Sequence, residues 1–235
     1  MTTRLFTTLD AYHDAIPQSA AMNMAIDEAL LESVTGPSIR FYRWQSPALS
    51  FGYFGKFADV AIYAGERDLV RRFTGGGIVL HGDDLTYSIV IPAHDQAFAE
   101  SSIVIYESIH RGLCAALNGI GERASVAAGV GSGGITIANQ AAVSASAYHC
   151  FANPVRADVI INGRKVAGAA QRRTRRGLVQ QGSVQSISIG SDLAQRFAGA
   201  LSADCSRCEI TEKVLQRARE LARQKYGADS WLRKM

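Results

Sequence analysis

The run Asp158-Val-Ile-Ile-Asn162-Gly163-Arg164-Lys165-Val-Ala-Gly168-Ala-Ala-Gln171 reads as two apolar strands folded back on each other. Asn-Gly is the pair best suited to a two-residue hairpin turn, because both positions tolerate positive φ. Residues 178–187 continue as a third strand, which makes a meander of 157–161, 165–171 and 178–187. Upstream, 38–44 alternates and is rich in aromatic side chains, 47–54 and 69–72 follow as strands, and 85–91 runs until Pro92 ends it. Between the strands, Ser19 can cap a helix reaching about Ser33 with Met22, Ile26, Ala29 and Leu30 on one face. A second helix is expected over 103–119. Thr211 caps a third that carries Val214, Leu215, Ala218, Leu221 and Ala222. Strands, hairpins and helices in this order predict an α+β domain around a mixed or antiparallel sheet. Asn23, Asp27 and Glu28 are polar positions of the first helix, expected either to make solvent or capping contacts or to take a catalytic part.

At 235 residues the chain is expected to form one domain, 1–235, large enough to fold on its own core. Hydrophobic content of 47% with 20% charge fits a globular class, and no apolar run reaches the roughly 20 residues a membrane helix needs. The opening Met1-Thr2-Thr3-Arg4 has no long apolar segment after it, so a cytoplasmic location is expected. Four cysteines are sparse. Cys114 falls on the apolar spacing of its helix and is expected in the core. Cys205 and Cys208 form an isolated pair without a second ligand pair, so no metal site is expected. The formal charge is +4, and Arg172, Arg173, Arg175 and Arg176 crowd one hairpin. They form either a solvated loop or a dock for an acidic carrier protein or phosphate. No aromatic residues interleave them for base stacking, so nucleic acid is not an expected partner.

Three features carry chemistry. Gly75-Gly76-Gly77, flanked by Arg71 and Arg72, allows close ligand approach and an anion-binding backbone turn. It has neither the lysine nor the spacing of a nucleotide-binding glycine loop. Lys165 follows the hairpin turn. It is either a solvated edge residue or a buried cation that stabilises an oxyanion or carboxylate. Cys150 is either a small core residue or a nucleophile, the latter requiring exposure and an electropositive neighbour. His149, adjacent in an extended segment, points to the opposite face, so Lys165 or His81 would be better placed beside the thiol. Residues 123–147, dominated by Ala, Gly and Ser, are expected to form an unstructured connection that covers the thiol.

Several runs together resemble the biotin/lipoate protein ligase superfamily. They are Asn23 to Leu30, Ile39 to Trp44, Leu49 to Phe54, Arg71 to His81, Leu85 to Ser88, Gly163 to Gln171, Gln180 to Ser183 and Lys225 to Trp231. The resemblance implies an α+β fold with a sheet flanked by helices, and acylation of a lipoyl-domain lysine. Within the superfamily, ligase-like octanoyltransferases carry a cysteine where Cys150 stands, followed by the Gly-Arg-Lys-Val-Ala-Gly strand. They usually have Gly-Gly-Arg where this chain has Gly75-Gly76-Gly77. Asp158 resembles the acidic member of the ligases' Asn-Asp pair, with Ala157 replacing the Asn.

The transferase resemblance implies octanoyl transfer from acyl carrier protein without a cofactor. Cys150 would be the nucleophile and Lys165 the oxyanion stabiliser. Arg71, Arg72, Gly75, Gly76, Gly77, His81, Asp158 and Gly168 would line the substrate, with His81 a candidate general base. The alternative is an ATP- and Mg-dependent lipoate ligase, in which Arg71 and the glycines cradle the adenylate phosphate and Asp158 helps hold magnesium or nucleotide. A third reading is a non-catalytic module that binds acyl carrier or lipoyl domain. An accessory C-terminal domain is not expected within this chain.

Overall fold

The computed structural model describes residues 4–128, 154–188, 190 and 192–234. Its strands are β1 (Thr8–His13), β2 (Ser38–Tyr42), β3 (Ala48–Phe51), β4 (Asp68–Arg71), β5 (Val79–His81), β6 (Leu85–Pro92), β7 (Ala124–Val126), β8 (Val159–Ile161), β9 (Arg164–Arg173), β10 (Gly177–Val184) and β11 (Asp204–Cys208). The helices are α1 (Ala20–Ser33), α2 (Ser102–Asn118), α3 (Leu193–Leu201), α4 (Glu212–Leu221), continued by a π turn at Ala222–Tyr226, and α5 (Asp229–Leu232). Among the described residues, no helix is long and apolar enough to cross a membrane.

Eight strands form a mixed sheet in the order β11-β1-β2-β6-β10-β9-β8-β7, and β4-β3-β5 form a small second sheet. The Asn162-Gly163 turn has both φ values positive, +50° and +77°, as the hairpin reading requires. Ser19 caps α1 by accepting the Met22 amide at 3.3 Å, and Thr211 caps α4 in the same way through Val214.

Strand alternation divides the core. Ile39, Phe41, Tyr87, Ile89, Ile91, Leu178 and Val184 face one way, against α2 and α3, and Cys114 of α2 packs with them. Tyr42, Val90 and Val179 face the other way, against α1 and α4. The second face also carries Arg40, Ser88, Gln181 and Ser183, all buried.

Those polar groups explain why α1 is buried nearly all round. Asp27 Oδ1 accepts Arg40 at 2.8 Å and the Ser88 hydroxyl at 2.6 Å, while its Oδ2 accepts Tyr42 and Gln181. Asn23 Oδ1 accepts Arg40 at 2.8 Å, and Asp14 closes the other side of the guanidinium at 2.6 Å. The solvent or capping role expected of Asn23 and Asp27 is therefore corrected. Burial would be costly for each charge alone, and they are satisfied as one network pinning α1 to β2, β6 and β10. Glu28 accepts Lys225 and Tyr226 from the C-terminal segment.

The stretch 123–147, expected as an unstructured connection, begins instead with strand β7, which pairs with β8. Residues 129–147, His149 and Cys150 lie outside the described residues. Strands β1, β5 and β11 and helix α3 were not expected from the sequence. Cys205 and Cys208 lie on the edge strand β11, with Cys205 exposed.

Candidate active site

A cavity opens between the two sheets. The large sheet supplies Tyr42, Thr86, Gln181 and Ser183, and the small sheet supplies Ser50, Val79 and His81. Met24 of α1, Trp44 and Arg72 complete it, together with the consecutive small residues Gly168-Ala169-Ala170 of β9.

At the β9 wall, Lys165 is buried with its ammonium 2.7 Å from Asp158 Oδ2. Its chain lies across Gly168, where an added side-chain carbon would stand 2.6 Å from Lys165 Cε and 2.8 Å from Nζ. The absence of a side chain at Gly168 is what lets the lysine lie this close. A register irregularity between Val159 and Ile160 lies beside this contact, where Ile160 pairs with Lys165 and Val159 with Ala167. Asp158 is fully buried. Its Oδ2 also accepts the Val155 amide at 2.8 Å, and its Oδ1 accepts the Tyr106 hydroxyl at 2.6 Å. Burial, and next the Asp158 charge, push the Tyr106 phenol well up, so it stays protonated and donates.

At the opposite wall, Ser50 Oγ lies 2.7 Å from His81 Nε2, and His81 Nδ1 lies 2.8 Å from Asp84 Oδ2. Asp84 Oδ2 also accepts Thr86 and Ser183. Burial lowers the His81 pKa despite Asp84, so the ring is neutral, with Nδ1–H donating to the carboxylate and Nε2 accepting the serine proton. Burial alone would raise the Asp84 carboxyl, but the hydrogen bonds it accepts from His81, the Ser183 hydroxyl and the Gly82 amide bring it below its ordinary value. The imidazole stacks on Trp44 with centroids 4.0 Å apart. Although serine, histidine and aspartate stand in the order of a hydrolase triad, Ser50 Oγ also accepts the Arg72 guanidinium at 2.7 Å and is fully buried. Both His81 nitrogens are engaged, so this wall is a fixed polar surface.

The glycine turn is held from below. Arg72 donates to the carbonyls of Gly75 and Gly77 at 3.0 and 2.7 Å. Gly76, at φ +84°, packs over Ala170 and Arg72. Gly52 has no room for a side chain, because the carbonyl of Gly76 occupies that place. Thr74 donates to Gln181, which donates to Asp27, so the turn is tied to the buried network under α1. Arg71, expected beside the substrate, does not line the cavity. Its guanidinium donates to the carbonyls of Tyr53, Gly55, Trp231, Leu232 and Lys234 and fastens the C-terminal segment. The hairpin arginines are largely used within the fold: Arg173 donates to the Phe98 and Glu100 carbonyls, Arg176 pairs with Glu32, and Arg172 lies over Phe73 and Tyr53.

The structure thus brings Lys165 and Asp158 together beside Gly168, which lines one wall of the cavity although neither of the pair does, and it sets Arg72 with His81 at the other wall. Gly75, Gly76 and Gly77 lie beyond Arg72. The sequence reading did not single out Ser50, Asp84, Tyr106, His110 or Gln181. Only the His81–Asp84 spacing, a turn-length separation, could have suggested one of them.

The family profile of the lipoyl protein ligase A/B catalytic domain matches residues 19–225. The chain is 37% identical over 182 residues to octanoyltransferase LipM of Oceanobacillus iheyensis, a match covering 74% of this chain and 63% of that protein. It is 30% identical to octanoyltransferase LipM of Symbiobacterium thermophilum over 95% of this chain and 96% of that one. Among solved structures, a bipartite lipoate protein ligase of Thermoplasma acidophilum, studied with its E2 lipoyl domain, superposes with a TM-score of 0.68 at 21% identity, covering 96% of this chain and 95% of that one. That last likeness concerns the fold. The chain belongs to the lipoyl protein ligase A/B catalytic-domain family.

Proposed function

We propose that the protein is an octanoyltransferase that moves an octanoyl group from an acyl carrier protein thioester to the lysine of a lipoyl domain, with no cofactor. The observation that carries this reading is the buried Lys165–Asp158 pair beside Gly168, where Gly168, Ala169 and Ala170 form the small-residue wall of a cavity whose opposite wall is polar. The similarity to octanoyltransferases supports it.

In the first step the Cys150 thiolate attacks the thioester carbonyl, and the carrier's thiol leaves with a proton as the S-acyl enzyme forms. In the second, the neutral amine of the lipoyl-domain lysine attacks that carbonyl. The amide forms, a proton is lost from nitrogen, and the Cys150 thiol is regenerated. Thioester exchange is nearly isoenergetic and aminolysis runs downhill, so no nucleotide is needed. Lys165 is the cation for the oxyanion in both steps. Trp44, Met24 and the Gly168–Ala170 wall receive the acyl chain. His81, with both nitrogens engaged, serves as pocket surface and not as base.

The ATP-dependent ligase reading fits the residues less well. Asp158 would have to hold magnesium or nucleotide, yet its oxygens already accept Tyr106, the Val155 amide and Lys165. Arg71, its phosphate cradle, faces backbone carbonyls.

The test is transfer from octanoyl-carrier thioester to a purified lipoyl domain without ATP, read by intact mass of the acceptor. Octanoylated acceptor is expected. Product formed only from free acid with ATP would overturn the proposal.

A further inference from the structure

We infer that Tyr106 is a positioning residue for the Lys165–Asp158 pair, acting with His110 one turn further along α2; this rests on the octanoyl-transfer reading above. Strand β8 pairs with β9 only as far as Ala167. Two residues on, Ala169 pairs with Gly182 of β10 on one edge and, among the described residues, has no strand partner on the β8 edge. The Tyr106 hydroxyl occupies the vacated position, accepting the Ala169 amide at 3.0 Å and donating to Asp158 Oδ1 at 2.6 Å. One hydroxyl thereby joins the cavity wall to the carboxylate that holds Lys165.

His110 sits on the same face of α2, with its ring edge-on to Tyr106 at 4.4 Å between centroids. Its Nδ1 donates to the Ala157 carbonyl at 2.6 Å, and its Nε2 accepts the Tyr87 hydroxyl at 2.9 Å. Ala157 is held at φ +67°, a conformation that disfavours alanine and persists only where its surroundings impose it. Here they do: its amide donates to the Ala127 carbonyl while His110 takes its own carbonyl. That backbone turn aims the next side chain, Asp158, at Lys165. Helix α2 therefore grips the carboxylate through Tyr106 and the backbone before it through His110, which fixes the anion that Lys165 meets beside Gly168.

The test compares wild type with Tyr106→Phe, which keeps the ring and removes only the hydroxyl. Amide hydrogen exchange at Ala169 is expected to quicken by about tenfold or more in the variant, with the Val179 amide unchanged. Single-turnover transfer to the lipoyl domain is expected to slow by about tenfold, with KM for the octanoyl thioester within about twofold of wild type. A purely structural role would lower the melting temperature and leave the rate per folded molecule unchanged. If Tyr106→Phe folds poorly, His110→Leu is expected to slow transfer similarly. His110→Asn, whose amide nitrogen can stand near the Nδ1 position, is expected to retain most of the rate. Wild-type transfer rates in the Tyr106→Phe and His110→Leu variants would overturn this inference alone. A wild-type protein inactive with every thioester donor would instead overturn the octanoyl-transfer reading and the positioning role together, and the Ala169 exchange data would separate that failure from a misplaced contact.

Discussion

Lys165 and Asp158 meet at 2.7 Å over Gly168, a residue with no side chain to obstruct them. Gly168→Ala would place a carbon 2.8 Å from the ammonium, and the flexible lysine would have to move aside. We expect this variant to fold with a melting temperature close to wild type. Its transfer rate should fall by about tenfold or more, because displacement of about 1 Å at a reacting centre is costly. Steady-state transfer assays beside thermal unfolding check it.

Gly182 and Tyr87 make the contrasting case. A side chain at Gly182 would stand inside the Tyr87 ring, which is fully buried between β10 and α3 and packs edge-on against Phe197. Neither neighbour is a flexible tip. Gly182→Ala should destabilise the fold by about 1–3 kcal/mol or more, as overpacking does, with a matching drop in the denaturant midpoint.

The network under α1 should be intolerant of removing one partner. Arg40 is fully buried between Asp14 and Asp27, and its loss leaves two carboxylates without their cation. Arg40→Met should cost about 3–5 kcal/mol in equilibrium unfolding at neutral pH. A double replacement of Arg40 and Asp27 by apolar residues should recover part of that loss.

His110 gives a pH dependence with a defined sign. Burial lowers its pKa to about 4 from an ordinary 6.5, so between those values the unfolded chain binds a proton that the folded protein does not. Stability is therefore complete above pH 6.5 and declines as pH falls towards 4, by about 3 kcal/mol from this group. His81, also lowered by burial, adds in the same direction. The pH dependence of unfolding free energy in His110→Asn should be shallower over that interval.

The sequence was legible wherever structure is decided locally. Ser19 and Thr211 cap their helices through side chains three residues from the bonded amide, and Asn162-Gly163 sets a turn by its own φ preferences. The mixed sheet followed from alternation and hairpins. Strands β1 and β11 were not legible, because they pair in parallel across nearly 200 residues and β11 is a mostly exposed edge whose sequence, Asp204-Cys-Ser-Arg-Cys208, has no apolar alternation. Asn23 and Asp27 were misread for a related reason: their partner Arg40 lies on another element, and nothing in the helix itself announces a buried cation.

At the candidate site, the hairpin that carries Lys165 and Gly168 beside Asp158 was legible because it is local and its motif is distinctive. Ser50, Asp84, Tyr106 and His110 were not, since each gains its role from a contact that only the packed sheets and α2 create. Arg71 was assigned to the substrate by proximity to the glycines. Arg71 ends β4 and Arg72 follows it, and their side chains part: Arg72 turns to the cavity and Arg71 to the C-terminal segment.

Whether energy held in an acyl thioester passes through Cys150 is read most directly by the intact mass of the enzyme after brief incubation with octanoyl-carrier and no acceptor. One octanoyl group should appear on wild-type protein, map to Cys150, be absent from Cys150→Ala, and disappear when lipoyl domain is added. An unmodified wild-type mass at every time point, or transfer by Cys150→Ala at the wild-type rate, would contradict it.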